Sequence, residues 1–144
     1  MLEYFGKALS VWFLGFFPLA EIYVAIPAGF ALGLGALSVI GWAVFGNFLP
    51  VLMIHLAYDR LREIPRVDRW LSRLSSEKMK ARINRWGVWA VLLLTPWTGV
   101  WAMAVVTKAL GMRGSRLLPA ALTSILVYAL ATSMLVIAGG NMVG

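Results

Sequence analysis

The chain has 144 residues, 61% of them hydrophobic and 13% charged, and carries a formal net charge of +7 with no cysteine. That composition excludes a soluble globular domain and indicates one integral membrane domain of roughly four to six apolar segments. Lack of cysteine excludes a disulfide framework, a thiolate metal site and a cysteine nucleophile, and no cofactor is expected.

In chain order, the N-terminus has neither a basic leader nor a small-residue cleavage site, so no removable signal peptide is expected. A first apolar half, residues 1–58, follows. Its stretch 8–32 is broken by Pro18, Glu21, Pro27 and Gly29, and residues 35–58 read as one long helix, since a span needs about 20 residues. Residues 59–85 change character. Arg60, Arg62, Arg66, Arg69, Arg73, Lys78, Lys80, Arg82 and Arg85 face four acids, a net charge of +5. Leu61, Ile64, Val67, Leu71 and Leu74 recur at spacings of three and four, the pattern of an amphipathic helix lying in the membrane interface. Ser75–Ser76–Glu77 then caps a second short helix running to Trp86. The second apolar half, 86–144, holds a stretch 86–112 interrupted at Thr95–Pro96–Trp97–Thr98–Gly99, and a span 117–138.

A basic run invites a nucleic-acid reading, but in a membrane chain it belongs beside anionic headgroups, so no nucleic acid is expected. The positive-inside bias makes 59–85 cytoplasmic in a multi-pass inner-membrane protein. Two topologies fit. Either 8–32, 35–58, 86–112 and 117–138 all span, or 8–32 and 86–112 are re-entrant hairpins bent at their prolines. The hairpin arrangement puts eleven of the thirteen basic residues on one side, the simple one ten. Pro and Gly at the middle of both stretches favour hairpins, because lipid-facing spans tolerate such breaks poorly. The expected fold is therefore an all-α membrane protein. It has two inverted repeats, each a re-entrant hairpin plus a spanning helix, joined by the basic amphipathic segment. Direct internal similarity is limited to Ile26–Pro27–Ala28–Gly29 against Thr95–Pro96–Trp97–Thr98–Gly99.

Few residues here can carry chemistry. Glu21 is an acid inside an apolar stretch, which is costly unless it snorkels, caps a broken helix, or handles a proton or cation. Pro27 and Gly29 would let the first hairpin turn and expose backbone dipoles to a ligand. Asn47 lies mid-span, able to hydrogen-bond the hairpin or a ligand. His55 and Asp59 are four apart, an interfacial pair or a proton relay. Thr95 and Thr98 satisfy backbone groups near Pro96 or line a site with Gly99 and Trp101. Lys108 either snorkels to headgroups or supplies a cation to Glu21 or a phosphate. One histidine and no paired carboxylates beside a nucleophile leave no catalytic set, so no enzyme is expected.

Three segments resemble a known family. Glu21-Ile-Tyr-Val-Ala25-Ile26-Pro27-Ala-Gly29 resembles the E-x-R-G-A-I-P-x-G motif of the small multidrug-export membrane proteins. Gly46-Asn47-Phe-Leu-Pro50-Val51 is similar to that family's G-N-x-x-P-V, and Thr95-Pro96-Trp97-Thr98-Gly99-Val-Trp101 to its P-x-x-T-G-A-W element. The resemblance implies kinship with the DedA and VTT membrane proteins. It also implies two opposed re-entrant loops and either lipid translocation, notably of polyprenyl phosphates, or proton-coupled export. Tyr23 and Val24 stand where the family has Arg and Gly, and Met103 where it has a later Gly. Loss of that arginine makes a proton-carrying role for Glu21 easier, because a buried carboxyl lacking a nearby cation takes up a proton more readily. The expected function is a small proton-coupled transporter or flippase. It would form a homodimer and move an amphiphile (lipid-linked phosphate or hydrophobic drug) through a midplane site between the hairpin tips. The competing expectation is a non-transporting scaffold that binds anionic membrane lipids or partner proteins through 59–85.

Overall fold

A computed structural model describes residues 1–74 and 77–143. Among the described residues the chain is all helical, without strands: α1 (Leu2–Phe16), α2 (Glu21–Ala31), α3 (Ala36–Arg62), α4 (Pro65–Leu74), α5 (Glu77–Trp86), α6 (Val88–Ala109) and α7 (Gly114–Val143). Three helices, Ala36–Arg62, Val88–Ala109 and Gly114–Gly140, are long and apolar enough to cross a membrane. The chain is a multi-pass membrane protein.

Several boundaries differ from the sequence reading. The stretch 8–32 is two helices: of its expected interruptions, Pro18 and Glu21 flank the break at residues 17–20, whereas Pro27 and Gly29 make none. Pro27 sits within the continuous α2, and Gly29 is a packing contact rather than a turn. A proline removes one helical hydrogen bond, and an eleven-residue helix packed on its neighbours absorbs that loss. The second break falls inside the expected interruption 95–99, at its last residue, Gly99, rather than at Pro96. The helix expected at 35–58 continues to Arg62 because its last turn holds no breaker. Pro65 then disfavours helix at Ile64 and opens α4, so the interfacial amphipathic helix is shorter than expected and excludes Leu61 and Ile64. Glu77–Trp86 is helical as expected, whereas the proposed cap at Ser75–Ser76 lies outside the described residues.

The chain forms two compact units, residues 1–49 with 125 onward, and residues 50–124. In the first, α1 packs on α2 and on the start of α3. The α1–α3 contact is backbone to backbone. A Cβ at Gly15 would lie 2.6 Å from the carbonyl oxygen of Ala43, and one at Gly46 would overlap the carbonyl of Trp12. Lipid tails are as apolar as leucine, so helices in a membrane are held by such close approach rather than by the hydrophobic effect. Tyr4 Oη lies 3.0 Å from Ser38 Oγ and accepts from Trp42 Nε1 at 3.4 Å, fixing the other end of α1 to α3. Gly29 of α2 seats on Val39 and Val11. Ala8, Val11, Ile22, Ala25, Ile26, Val39 and Ala43 make up the buried centre.

In the second unit α4 and α5 pack on α6. Tyr58 and Ala109 form a small core against which Val67 of α4 and Val105 pack. Val91, Val100, Met103, Ala104, Leu110 and Leu117 are buried. The start of α7 touches α3, since a Cβ at Gly114 would collide with the imidazole of His55.

One turn occurs twice. At the end of α2, Gly33 has φ 76, Gly33 N–H donates to Phe30 O at 2.9 Å, and Leu34 N–H donates to Gly29 O at 3.1 Å. At the end of α6, Gly111 has φ 84, Gly111 N–H donates to Lys108 O at 2.9 Å, and Met112 N–H donates to Thr107 O at 3.0 Å. Both are Schellman caps, closed by a glycine in the left-handed region and by a buried apolar residue after it, Leu34 or Met112. Each lies 78 residues from its counterpart, as do the starts of α3 and α7 at Ala36 and Gly114.

Candidate functional site

The same interval reaches the most unusual backbone position. Glu21, the first residue of α2, has φ 50, and it is the one non-glycine residue with positive φ among the described residues. Gly99, 78 residues on, interrupts α6 with φ 75 and ψ 164. Pro18 and Pro96, each three residues earlier, match at that interval too. The internal correspondence therefore sets Pro18, not Pro27, against Pro96. A left-handed conformation costs an L-residue roughly 1–2 kcal/mol, and strain of this kind collects at functional sites.

The Glu21 side chain is 5% exposed. Around it the first unit places further polar groups. Gly29 seats on Val39, and Glu21 lies eight residues back along α2, about 12 Å at 1.5 Å per residue. Asn47 lies toward the same end of the unit: a Cβ at Gly15 would lie 3.3 Å from Asn47 N and one at Gly46 3.0 Å from Phe16 N, at the end of α1 from which the chain turns to Glu21. Asn47 is 0% exposed, and neither its amide nitrogen nor its oxygen has a hydrogen-bond partner among the described residues. A buried amide left in that state costs about 1–3 kcal/mol, which a ligand or water would offset. Tyr23 lies within electrostatic reach of both Glu21 and Tyr128. Ser133 Oγ is a further buried polar atom of this unit with no partner among the described residues.

At the second corner, the hydroxyls before Gly99 are committed to backbone. Thr95 Oγ1 donates to Val91 O at 2.7 Å and Thr98 Oγ1 to Leu94 O at 2.9 Å. Both are back-bonds to carbonyls four residues earlier within α6. Trp101 is half-buried just beyond the corner, and Trp97 is 88% exposed at it.

Lys108 is not at that corner. It stands in the last turn of α6 with its Nζ 5.1 Å from the centre of the Tyr58 ring. With Asp59, Arg62, Lys80, Gly111 and Arg113 it lines a cavity of about 420 Å³. His55 and Asp59 share a helix face, but no hydrogen bond joins them among the described residues, and the buried Nδ1 of His55 has no partner there. A neighbouring cavity of about 360 Å³ is lined by Ile83, Gly87, Gly111, Met112, Arg113 and Arg116. Gly87 and Gly111 each lie twelve residues from Gly99, one on either side of it. Among the described residues no cluster of three His, Cys, Asp or Glu could hold a metal ion.

The sequence marks an interruption at Pro18 and Glu21, but not the left-handed conformation of Glu21 itself. The available signal was the shared separation of Pro18 from Glu21 and of Pro96 from Gly99. The pairing of Arg113 and Arg116 beside a cavity was missed as well, since both counted only as topological charges.

No curated protein and no solved structure matches the chain. The model of the family described as putative small multi-drug export protein matches residues 21–131, from the left-handed corner at Glu21 through Gly99 and into α7. With most of its length matched, the chain belongs to the small multi-drug export protein family of membrane proteins.

Proposed function

We propose that this protein is a small proton-coupled exporter of amphiphilic molecules, with Glu21 as the group that takes up and releases the proton. The observation that carries the reading is a buried carboxyl on a strained left-handed residue, toward the same end of the unit as a buried amide that has no partner among the described residues. A carboxyl in hydrocarbon is expensive and is kept for a task. Asn47 would hold the polar end of a substrate, and the apolar surroundings would take its hydrophobic part.

Around that site we infer two re-entrant hairpins, α1–α2 turning before Glu21 and α6 folding back at Gly99. Support for the second comes from Gly87 and Gly111, equidistant from Gly99 yet lining one cavity. Only α3 would then cross the membrane between the two hairpins, so the second half would enter from the opposite side, an inverted repeat. The basic segment 59–85 would be cytoplasmic in the inner membrane. Two spanning helices enclose little, so a second copy would complete the shield around the hairpins.

The test is efflux of the fluorescent hydrophobic cation ethidium from proteoliposomes under a pH gradient, native protein against Glu21→Gln. Native protein is expected to accelerate efflux and dissipate the gradient, and the variant to lose both while melting normally. Coupled efflux unchanged in Glu21→Gln would remove the proposed switch.

A further inference from the structure

The second unit holds an apolar groove next to its basic cavity. Ile83, Trp86, Ala90, Leu93, Leu94, Val106 and Leu110 line a space of about 390 Å³. The basic cavity of about 360 Å³ shares Ile83 with it and continues from Leu110 into Gly111, Met112, Arg113 and Arg116. Cation and apolar wall thus form one continuous, two-part site.

Its dimensions suit one leaflet. Ala90, Leu93 and Leu94 lie on one face of α6 at spacings of three and four, rising about 6 Å from Ala90 to Leu94, and Ile83 and Trp86 of α5 line the groove from across the bend at Gly87. Half of a hydrocarbon core of about 30 Å is about 15 Å. The α6 part of the groove thus spans less than one leaflet and takes a segment of one acyl chain. Arg113 and Arg116 are exposed at its mouth, and neither makes an ion pair among the described residues. Three other cations of the unit are engaged: Arg62 with Asp68 at 2.9 Å, Lys80 with Glu77 at 2.8 Å, and Lys108 over Tyr58.

We propose that this groove is a specific site for an anionic phospholipid of the surrounding leaflet. Its phosphate sits between Arg113 and Arg116, and one acyl chain lies along Trp86, Ala90 and Leu94. Two guanidiniums select a net-negative headgroup, and the apolar wall selects a molecule with a chain. The bound lipid fills the space between α5 and α6. This site is twelve residues from the Gly99 corner and depends on the membrane reading alone, not on transport.

The experiment is native mass spectrometry of the detergent-purified protein with added phosphatidylglycerol, phosphatidylcholine or inorganic phosphate. One surface guanidinium is worth roughly fivefold, so selectivity for phosphatidylglycerol over phosphatidylcholine should be about twenty-five-fold. Arg113→Gln with Arg116→Gln should abolish that selectivity. Arg60→Gln with Arg66→Gln, an equal loss of charge on exposed residues outside both cavities, should keep it. Ala90→Trp, which fills the groove, should lose the bound lipid altogether, with circular dichroism confirming the fold. Equal retention of the two lipids by the native protein would overturn the proposal. Equal loss in both arginine pairs would replace it with diffuse surface attraction, and undiminished binding in Ala90→Trp or full competition by inorganic phosphate with an anion site alone.

Discussion

Replacing Gly99 by alanine separates a corner in α6 from a straight helix by the sign of the effect. At φ 75 and ψ 164 the residue occupies a region that is essentially glycine's alone, and holding an alanine there costs about 1–3 kcal/mol. In an uninterrupted helix the same substitution would gain about 0.8–1 kcal/mol, because glycine is the poorer helix former. A domain of this size shifts by roughly 2–4 °C per kcal/mol, so the corner implies a fall of roughly 2–12 °C and a straight helix a rise of a few degrees. Thermal unfolding in detergent, followed by circular dichroism, reads the difference. Two internal standards bracket it. Gly111→Ala, at φ 84 with open space around its Cβ, should fall through backbone strain alone, and Gly139→Ala, inside α7 with open space, should rise. If Gly99→Ala tracked Gly139→Ala, α6 would be one continuous helix crossing the membrane once, and both the hairpins and the inverted halves would be lost.

Asn47→Leu should leave stability within about 1 kcal/mol of native or above it, since it removes buried polar atoms that lack partners among the described residues, while abolishing ethidium efflux; a loss of more than 2 kcal/mol on melting would mean a structural hydrogen bond instead. Gly46→Ala should cost about 1–3 kcal/mol by forcing a methyl into the Trp12 carbonyl, whereas Gly6→Ala, inside α1 with open space, should gain about 0.8–1 kcal/mol in the same melting assay. Glu21→Gly should relieve about 1–2 kcal/mol of left-handed strain, lose about 0.8 kcal/mol for each of two buried methylenes, and lose about 0.4–1 kcal/mol to unfolded-state freedom. The net loss should be under about 2 kcal/mol on melting, and a loss of 3–5 kcal/mol would show the carboxyl to be half of a structural ion pair.

Much of the architecture was legible in the sequence because apolar length and charge placement are one-dimensional signals. They located α3, α5 and α7 to within a few residues and marked two interruptions in otherwise apolar stretches. The corners were legible as stretches, Pro18 to Glu21 and Thr95 to Gly99, but the residue at which each turns was not. Proline advertises a break, yet Pro27, Pro50, Pro96 and Pro119 all sit inside helices, and the chain turns at residues 17–20 and bends sharply at Gly99. Positive φ at a glutamate has no compositional signature. Asn47 was recognisable as a mid-span polar residue, but the lack of partners on its amide depends on which backbones approach it, through Gly15 and Gly46. Lys108 read as a cation available to the hairpin tips, and its place over Tyr58 follows from a cap that directs the last turn of α6.

The interval of 78 residues shows where the two halves part company. Gly99 makes the second corner with a residue suited to it, so the corner itself has no need of a glutamate. Position 21 nevertheless carries a side chain that strains the backbone and a carboxyl that resists burial, two costs that glycine would avoid at once. Asn47 repeats the contrast: 78 residues on stands Ile125, fully buried and apolar. Both polar groups at the first corner's end of the unit thus have apolar or glycine counterparts in the second half, although caps and helix starts match residue for residue. A turn and a helix start repeated at that interval account for the shared backbone and leave Glu21 and Asn47 unexplained. On the function proposed above, that pair carries the proton and substrate chemistry, and Gly99 marks the matching backbone position without it.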